Sequence, residues 1–81
     1  MNDKTRIVNI SAENSGFMRQ TLQEVYAALV ERGYDPLGQI VGYLLSEDPT
    51  YITTHGGARS LAQKIDRDEL LKAMLKEYLS L

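Results

Sequence analysis

Along this chain the apolar positions fall into three helical patterns separated by glycine and proline signals. From about Gly16 to Arg32, the residues Met18, Leu22, Val25, Tyr26, Leu29 and Val30 recur at three- and four-residue spacing, with Gln20, Gln23, Glu24 and Glu31 opposite. That spacing predicts an amphipathic helix. Ser15 or Asn14 suits its N-cap, and Gly33 stands where a left-handed residue closes a helix. A second helix is predicted from Pro36 to Ser46: Asp35 caps it, Pro36 suits its first turn, and Asp48-Pro49 ends it. It is apolar around most of its circumference, which predicts burial on two sides and leaves Gln39, Tyr43 and Glu47 as its polar side. Gly38 and Gly42 each cost it about 1 kcal/mol against alanine, so packing by other segments has to hold it.

After Pro49 one helical turn to about Thr53 is expected, then a connection at Thr54-His55-Gly56-Gly57 and a short helix over Ala58 to Ile65. Asp66-Arg67-Asp68-Glu69 is a capping arrangement, an acceptor followed three residues later by a glutamate, and it starts a last helix running to about Leu79. Before Gly16 no helical period is visible and polar residues dominate. The expectation is therefore a flexible tail over residues 1–15 and one helical domain over residues 16–81, an all-α fold of four to five helices.

Size sharpens this picture. A chain of 81 residues buries only about 60 to 65% of the surface its unfolded state exposes. It has no cysteine and one histidine, so neither a disulfide nor a zinc site supports it. The last helix carries Leu70, Leu71, Met74, Leu75, Tyr78 and Leu79 over about half its circumference, more than one core requires. The excess predicts a homodimer, with Leu71, Leu75 and Tyr78 and the Gly38/Gly42 face as its contacts. The alternative is that helices of the same chain fill those faces, an aromatic ring occupying the groove that Gly38 and Gly42 leave.

Charge and motif exclude more than they assign. Nine basic against eleven acidic residues give a net charge of -2, and the basic residues are scattered, which argues against a phosphate-binding face. A helix-turn-helix-like nucleic-acid module over Ala58 to Leu79 is the second reading, weakened by Asp68, Glu69 and Glu77 on the helix that would have to read bases. No nucleophile with a base, paired carboxylate cleft or metal cluster is visible, and His55 stands alone in its loop. Gly56-Gly57 lacks either phosphate-loop pattern. The sequence therefore reads as a non-enzyme without cofactor or metal. Its N-terminus is too polar for a secretion signal and its longest apolar run too short to span a bilayer, which with the absence of cysteine predicts a cytoplasmic protein.

One long stretch is more specific. Gly33-Tyr34-x-Pro36-x-x-Gln39-Ile40-Val41-Gly42-Tyr43-x-Leu45-Ser46-x-Asp48-Pro49-x-Tyr51, followed by Ala58-Arg59 and Arg67-Asp68-Glu69, closely resembles the IreB family of small regulatory phosphoproteins of Gram-positive bacteria. The resemblance covers about Leu22 to Leu79. It implies an all-helical homodimer with a disordered N-terminal tail and no known catalytic activity. It implies as partners a membrane-anchored Ser/Thr kinase and its cognate phosphatase, in signalling that controls cell-envelope stress responses and cephalosporin resistance. In that family the kinase acts on threonines of the tail, and the matching residue here is Thr5, between Lys4 and Arg6; a second family acceptor position holds Asn2 in this chain. The remaining expectation is a surface for an unidentified downstream protein, formed by Tyr34, Gln39, Tyr43, Asp48, Tyr51 and Arg59.

Overall fold

In the computed structural model the chain folds as four α-helices and two 3-10 turns, with no strand among the described residues. The structure describes residues 2–81, and side chains from residue 16 onward. Helix α1 is Asn2–Glu31, α2 Pro36–Ser46, α3 Ala58–Gln63 and α4 Arg67–Leu79, with 3-10 turns at Pro49–Tyr51 and His55–Gly57. α1 begins well ahead of the start near Gly16 read from the periodicity. The flexible tail expected over residues 1–15, and Thr5 with it, lies outside the described side chains.

The N-cap expected at Ser15 or Asn14 falls inside α1, but the capping chemistry read at Gly33, Asp35 and Asp66 sets the later boundaries. Gly33, at φ 78°, closes α1 while the amide of Tyr34 donates to the carbonyl of Leu29 at 3.0 Å, the left-handed termination that satisfies a helix's last acceptors. Asp35 accepts from the Gly38 amide at the start of α2. Asp66 accepts from the amides of Asp68 and Glu69 at the start of α4. Both carboxylates satisfy donors that a helix start leaves orphaned.

Helix α1 packs chiefly on α3 and then on α2, and the turn at Pro49–Tyr51 bridges α2 and α3. Val25, Ala28 and Leu29 meet Ile40 and Tyr43 from α2, Ile52, and Ala58 and Ala62 from α3 in one core cluster. Leu29, Ile52 and Val25 are completely enclosed, each worth about 1.5–3 kcal/mol of transfer free energy. The alanines on α1 and α3 keep that helix pair close. A second cluster, Met18, Ile65 and Leu70, seats the first turn of α4, and Leu22 and Leu44 touch both clusters.

Two expectations about faces are corrected. Tyr43, read as the polar side of α2, is 8% exposed and belongs to the core, whereas Leu37, Val41 and Leu45 of the same helix face outward. The apolar arc of α2 is so wide that its period does not fix which side turns inward, and Ile40 and Tyr43, three residues apart, share the chosen face. On α1 likewise Tyr26 and Val30 lie on the surface.

An apolar groove and a tyrosine-capped turn as candidate functional sites

Two regions of the surface collect the residues singled out by sequence. The first is an apolar groove of about 560 Å³ walled by α1, α2 and α4. Met18, Leu22 and Tyr26 contribute from α1, Leu37, Ile40, Val41 and Leu44 from α2, and Leu70, Ala73, Met74 and Tyr78 from α4. The spacing explains the alignment: three- and four-residue steps put each set on one side of its helix. Its polar rim consists of Arg19, Gln23 and Glu77, and Arg19 donates to Glu77 across it at 2.9 Å. Such a surface excludes water poorly and offers no convergent polar groups, so it suits apolar side chains of another chain rather than a reacting substrate.

Beyond the groove the outer side of α4 is also apolar. Leu71, Leu75 and Leu79 lie at four-residue steps there with Tyr78 beside them, and Tyr78 is 88% exposed. Of the residues expected at a dimer contact, Leu71, Leu75 and Tyr78 are thus accessible. Gly38 and Gly42 are used differently. At Gly42 an added Cβ would lie 2.6 Å from the Tyr51 ring, and at Gly38 it would meet the Asp35 carboxylate. The close approach that Gly42 permits is made within the chain, by an aromatic ring of its own.

The second region is the turn that carries this ring. Asp48 accepts from the Thr50 amide at 3.0 Å and from the Thr50 hydroxyl at 2.7 Å. The Thr50 hydroxyl and then its amide hold the Asp48 carboxyl below the usual aspartate range against an opposing desolvation, with the Arg59 guanidinium as a lesser aid. Gln39 Nε2 donates to the Tyr51 carbonyl at 3.1 Å, and Arg59 Nε to the Ile52 carbonyl at 2.9 Å. Four of the six residues expected to face a downstream protein therefore meet in one place: Gln39, Asp48, Tyr51 and Arg59 lock the turn onto α2 and α3. Tyr34 is exposed at the α1–α2 connection, and Tyr43 is internal.

Arg67 was not singled out for this purpose by sequence reasoning. Its guanidinium donates to the Leu44 carbonyl at 3.1 Å and pairs with Glu47 at 3.0 Å, tying the first residue of α4 to the end of α2. Neither partner lies near it in sequence, and the only available signal was its place beside the Asp66 cap. His55 pairs with Glu31 at 2.7 Å, joining its loop to the end of α1. Lys72, on the helix that a helix-turn-helix would use to read bases, lies 3.8 Å from Glu69. No group of three potential metal ligands occurs among the described residues, and no helix there is long and apolar enough to cross a membrane.

What fold and surface define is a small all-α domain with an open apolar groove beside a rigidly capped turn. The chain belongs to the IreB regulatory phosphoprotein family, whose model matches residues 3–80. It is similar to a UPF0297 protein of Acetivibrio thermocellus, at 51% identity over 78 residues, 96% of this chain and 87% of that protein. Membership in this family gives the chain a regulatory role.

Proposed function

We propose that this chain is a non-enzymatic, phosphorylation-controlled adaptor of the cytoplasm that works as a homodimer. A membrane Ser/Thr kinase phosphorylates it on Thr5, a cognate phosphatase reverses this, and the switch modulates cell-envelope stress and cephalosporin resistance signalling through a downstream protein. Membership in a family of regulatory phosphoproteins carries the reading. The surface supports it: one face is apolar and open, as an association surface requires, while the polar groups of the Pro49–Tyr51 turn are spent on structure.

Phosphate on Thr5 would add about -1.5 to -2 charge beside Lys4 and Arg6, reversing the local sign of the N-terminal segment. An arginine-bearing surface then gains or loses a partner without any change in the helical core. Incubation with the cognate kinase and ATP, followed by phosphopeptide mass spectrometry, is expected to place phosphate on Thr5 and to lose it in Thr5→Ala. Modification confined to Thr50, Thr53 or Thr54 would refute the switch at Thr5. Thr21, only 4% exposed, is out of a kinase's reach while the core is folded.

A further inference from the structure

Helix α2 has no basic residue in its own last turn, and its end is served from another helix. The last carbonyls of a helix lack partners within it. The Tyr43 carbonyl is met by the Glu47 amide, and the Leu44 carbonyl by Arg67 Nη1 at 3.1 Å, from the first position of α4. A cation at that place is also favoured by the negative end of the helix dipole. The other arm of the same guanidinium, Nη2, meets Glu47 Oε1 at 3.0 Å. The Arg67 side chain is 28% exposed and that of Glu47 69%, so the bond to Leu44 is sheltered while the pair with Glu47 is open to water. Such an exposed pair contributes little attraction. Its effect is geometric, because a planar fork with both arms engaged cannot turn. Glu47 itself stands at φ 64°, a conformation that glycine adopts more readily. The backbone therefore does not explain a glutamate there, whereas its carboxylate on Arg67 does.

Leu44 and Leu70 show what this junction positions. Leu44 touches both core clusters, Leu70 follows Arg67 by one turn and belongs to the second cluster, and both line the groove. We infer that Arg67, steadied by Glu47, is a positioning residue of the association surface: it fixes the spacing of α2 and α4, the two walls onto which a second copy docks. This rests on the homodimer reading above and adds that affinity for the second copy depends on the pair joining the walls. Lysine cannot replace Arg67, because an ammonium group has no fixed fork to span Leu44 and Glu47. Glutamine can replace Glu47, because its amide oxygen still accepts.

The chain has no cysteine, so nitroxide labels at Leu45→Cys on α2 and Lys76→Cys on α4 of the full-length protein report the spacing of the walls. Dilution with unlabelled protein confines the distance to one chain. Electron–electron resonance should give one narrow distance in the parent and in Glu47→Gln, and a broadened one in Glu47→Gly and Arg67→Lys. Sedimentation of the unlabelled proteins should show a dimer weakened about three- to tenfold by Glu47→Gly and by Arg67→Lys, the effect of one hydrogen bond, and within about twofold of the parent in Glu47→Gln. Ala62→Gly is the control: it loosens the α1–α3 core and should lower the thermal midpoint while leaving both readings unchanged. Glycine suits the backbone at position 47, so that variant folds even if Arg67→Lys does not, and circular dichroism verifies it. A distance that stays narrow in Glu47→Gly would overturn the inference, as would a dimer indifferent to that change or one that Ala62→Gly weakens equally. A parent that sediments as a monomer would strike the homodimer reading, and the distance would still decide whether Arg67 sets the walls.

Discussion

Gly42 exists in this fold for the sake of Tyr51. The ring lies across the α2 backbone where any side chain would stand, and the Gln39 amide holds the Tyr51 carbonyl from the same helix. The conformational cost of a glycine inside a helix, about 1 kcal/mol, is thus offset by a contact that only glycine allows. Gly42→Ala should destabilise the protein by about 1–3 kcal/mol, the usual range for overpacking, despite alanine's better helix propensity. Gly42→Ala with Tyr51→Ala should recover part of that loss, because the clash needs both groups. Chemical denaturation of the three variants measures it, and a neutral or stabilised Gly42→Ala would show that the ring yields freely. In the sequence, Gly42 and Tyr51 both stand out, but as a small-residue pair and as one of five tyrosines. Their pairing depends on a turn that folds back by nine positions, and no helical period records it.

At the level of elements, helix boundaries from Gly33 onward were legible, whereas the start of α1 was not. Asp35-Pro36 and Asp66-Arg67 announce starts through local hydrogen bonding, Asp48-Pro49 marks the end of α2, and all three aspartates are found accepting backbone amides of the element that follows. Gly33 likewise ends α1 where its neighbours predict. Orientation was less legible. α2 has apolar residues on nearly every side, so its period states that it is covered without saying where, and the polarity of Tyr43 alone points it outward. What decides is tertiary: the Arg67 and Gln39 bonds and the seat of Tyr51 on Gly42 fix the rotation of α2, leaving Leu37 and Val41 to line the groove. The width of the apolar arc on α4 was read directly, and the exposed residues Leu71, Leu75, Tyr78 and Leu79 account for it. Which α4 residues look into the groove was not readable, since it depends on the anchoring of Arg67 to α2.

For the whole molecule, a small core and a large apolar exterior belong together. Among the described residues the largest fully enclosed side chains are Leu29, Ile52 and Val25, while an open groove and the outer side of α4 stay exposed to water. Domains of this size rarely draw more than about 3–5 kcal/mol from a single core, and a second chain on the apolar surface adds burial that the fold lacks. Val41→Glu and Leu75→Glu each place a charge on that surface without touching an enclosed residue. Sedimentation equilibrium is expected to give a dimer for the parent and a shift toward monomer for both variants, with helicity retained below the unfolding transition. A parent that sediments as a monomer across the micromolar range would defeat the homodimer.

The pairing of α1 with α3 also carries a kinetic consequence. Val25 to Leu29 meet Ala58 to Ala62, so the main contact of the core closes a loop of about thirty residues, and the closure entropy is spent before most burial is gained. Small residues make that loop worth closing, because they let two backbones approach before α2 and its turn have settled. Folding should therefore wait on α1 meeting α3. Ala62→Gly is expected to lower the refolding rate in stopped-flow traces, with a φ value above about 0.5, while Met74→Ala acts mainly on unfolding. The reverse assignment would make α4 part of the nucleus. With α3 as the rate-setting contact, the groove wall forms last, and each newly folded chain passes through a moment in which its association surface is complete on two sides and still lacks the third.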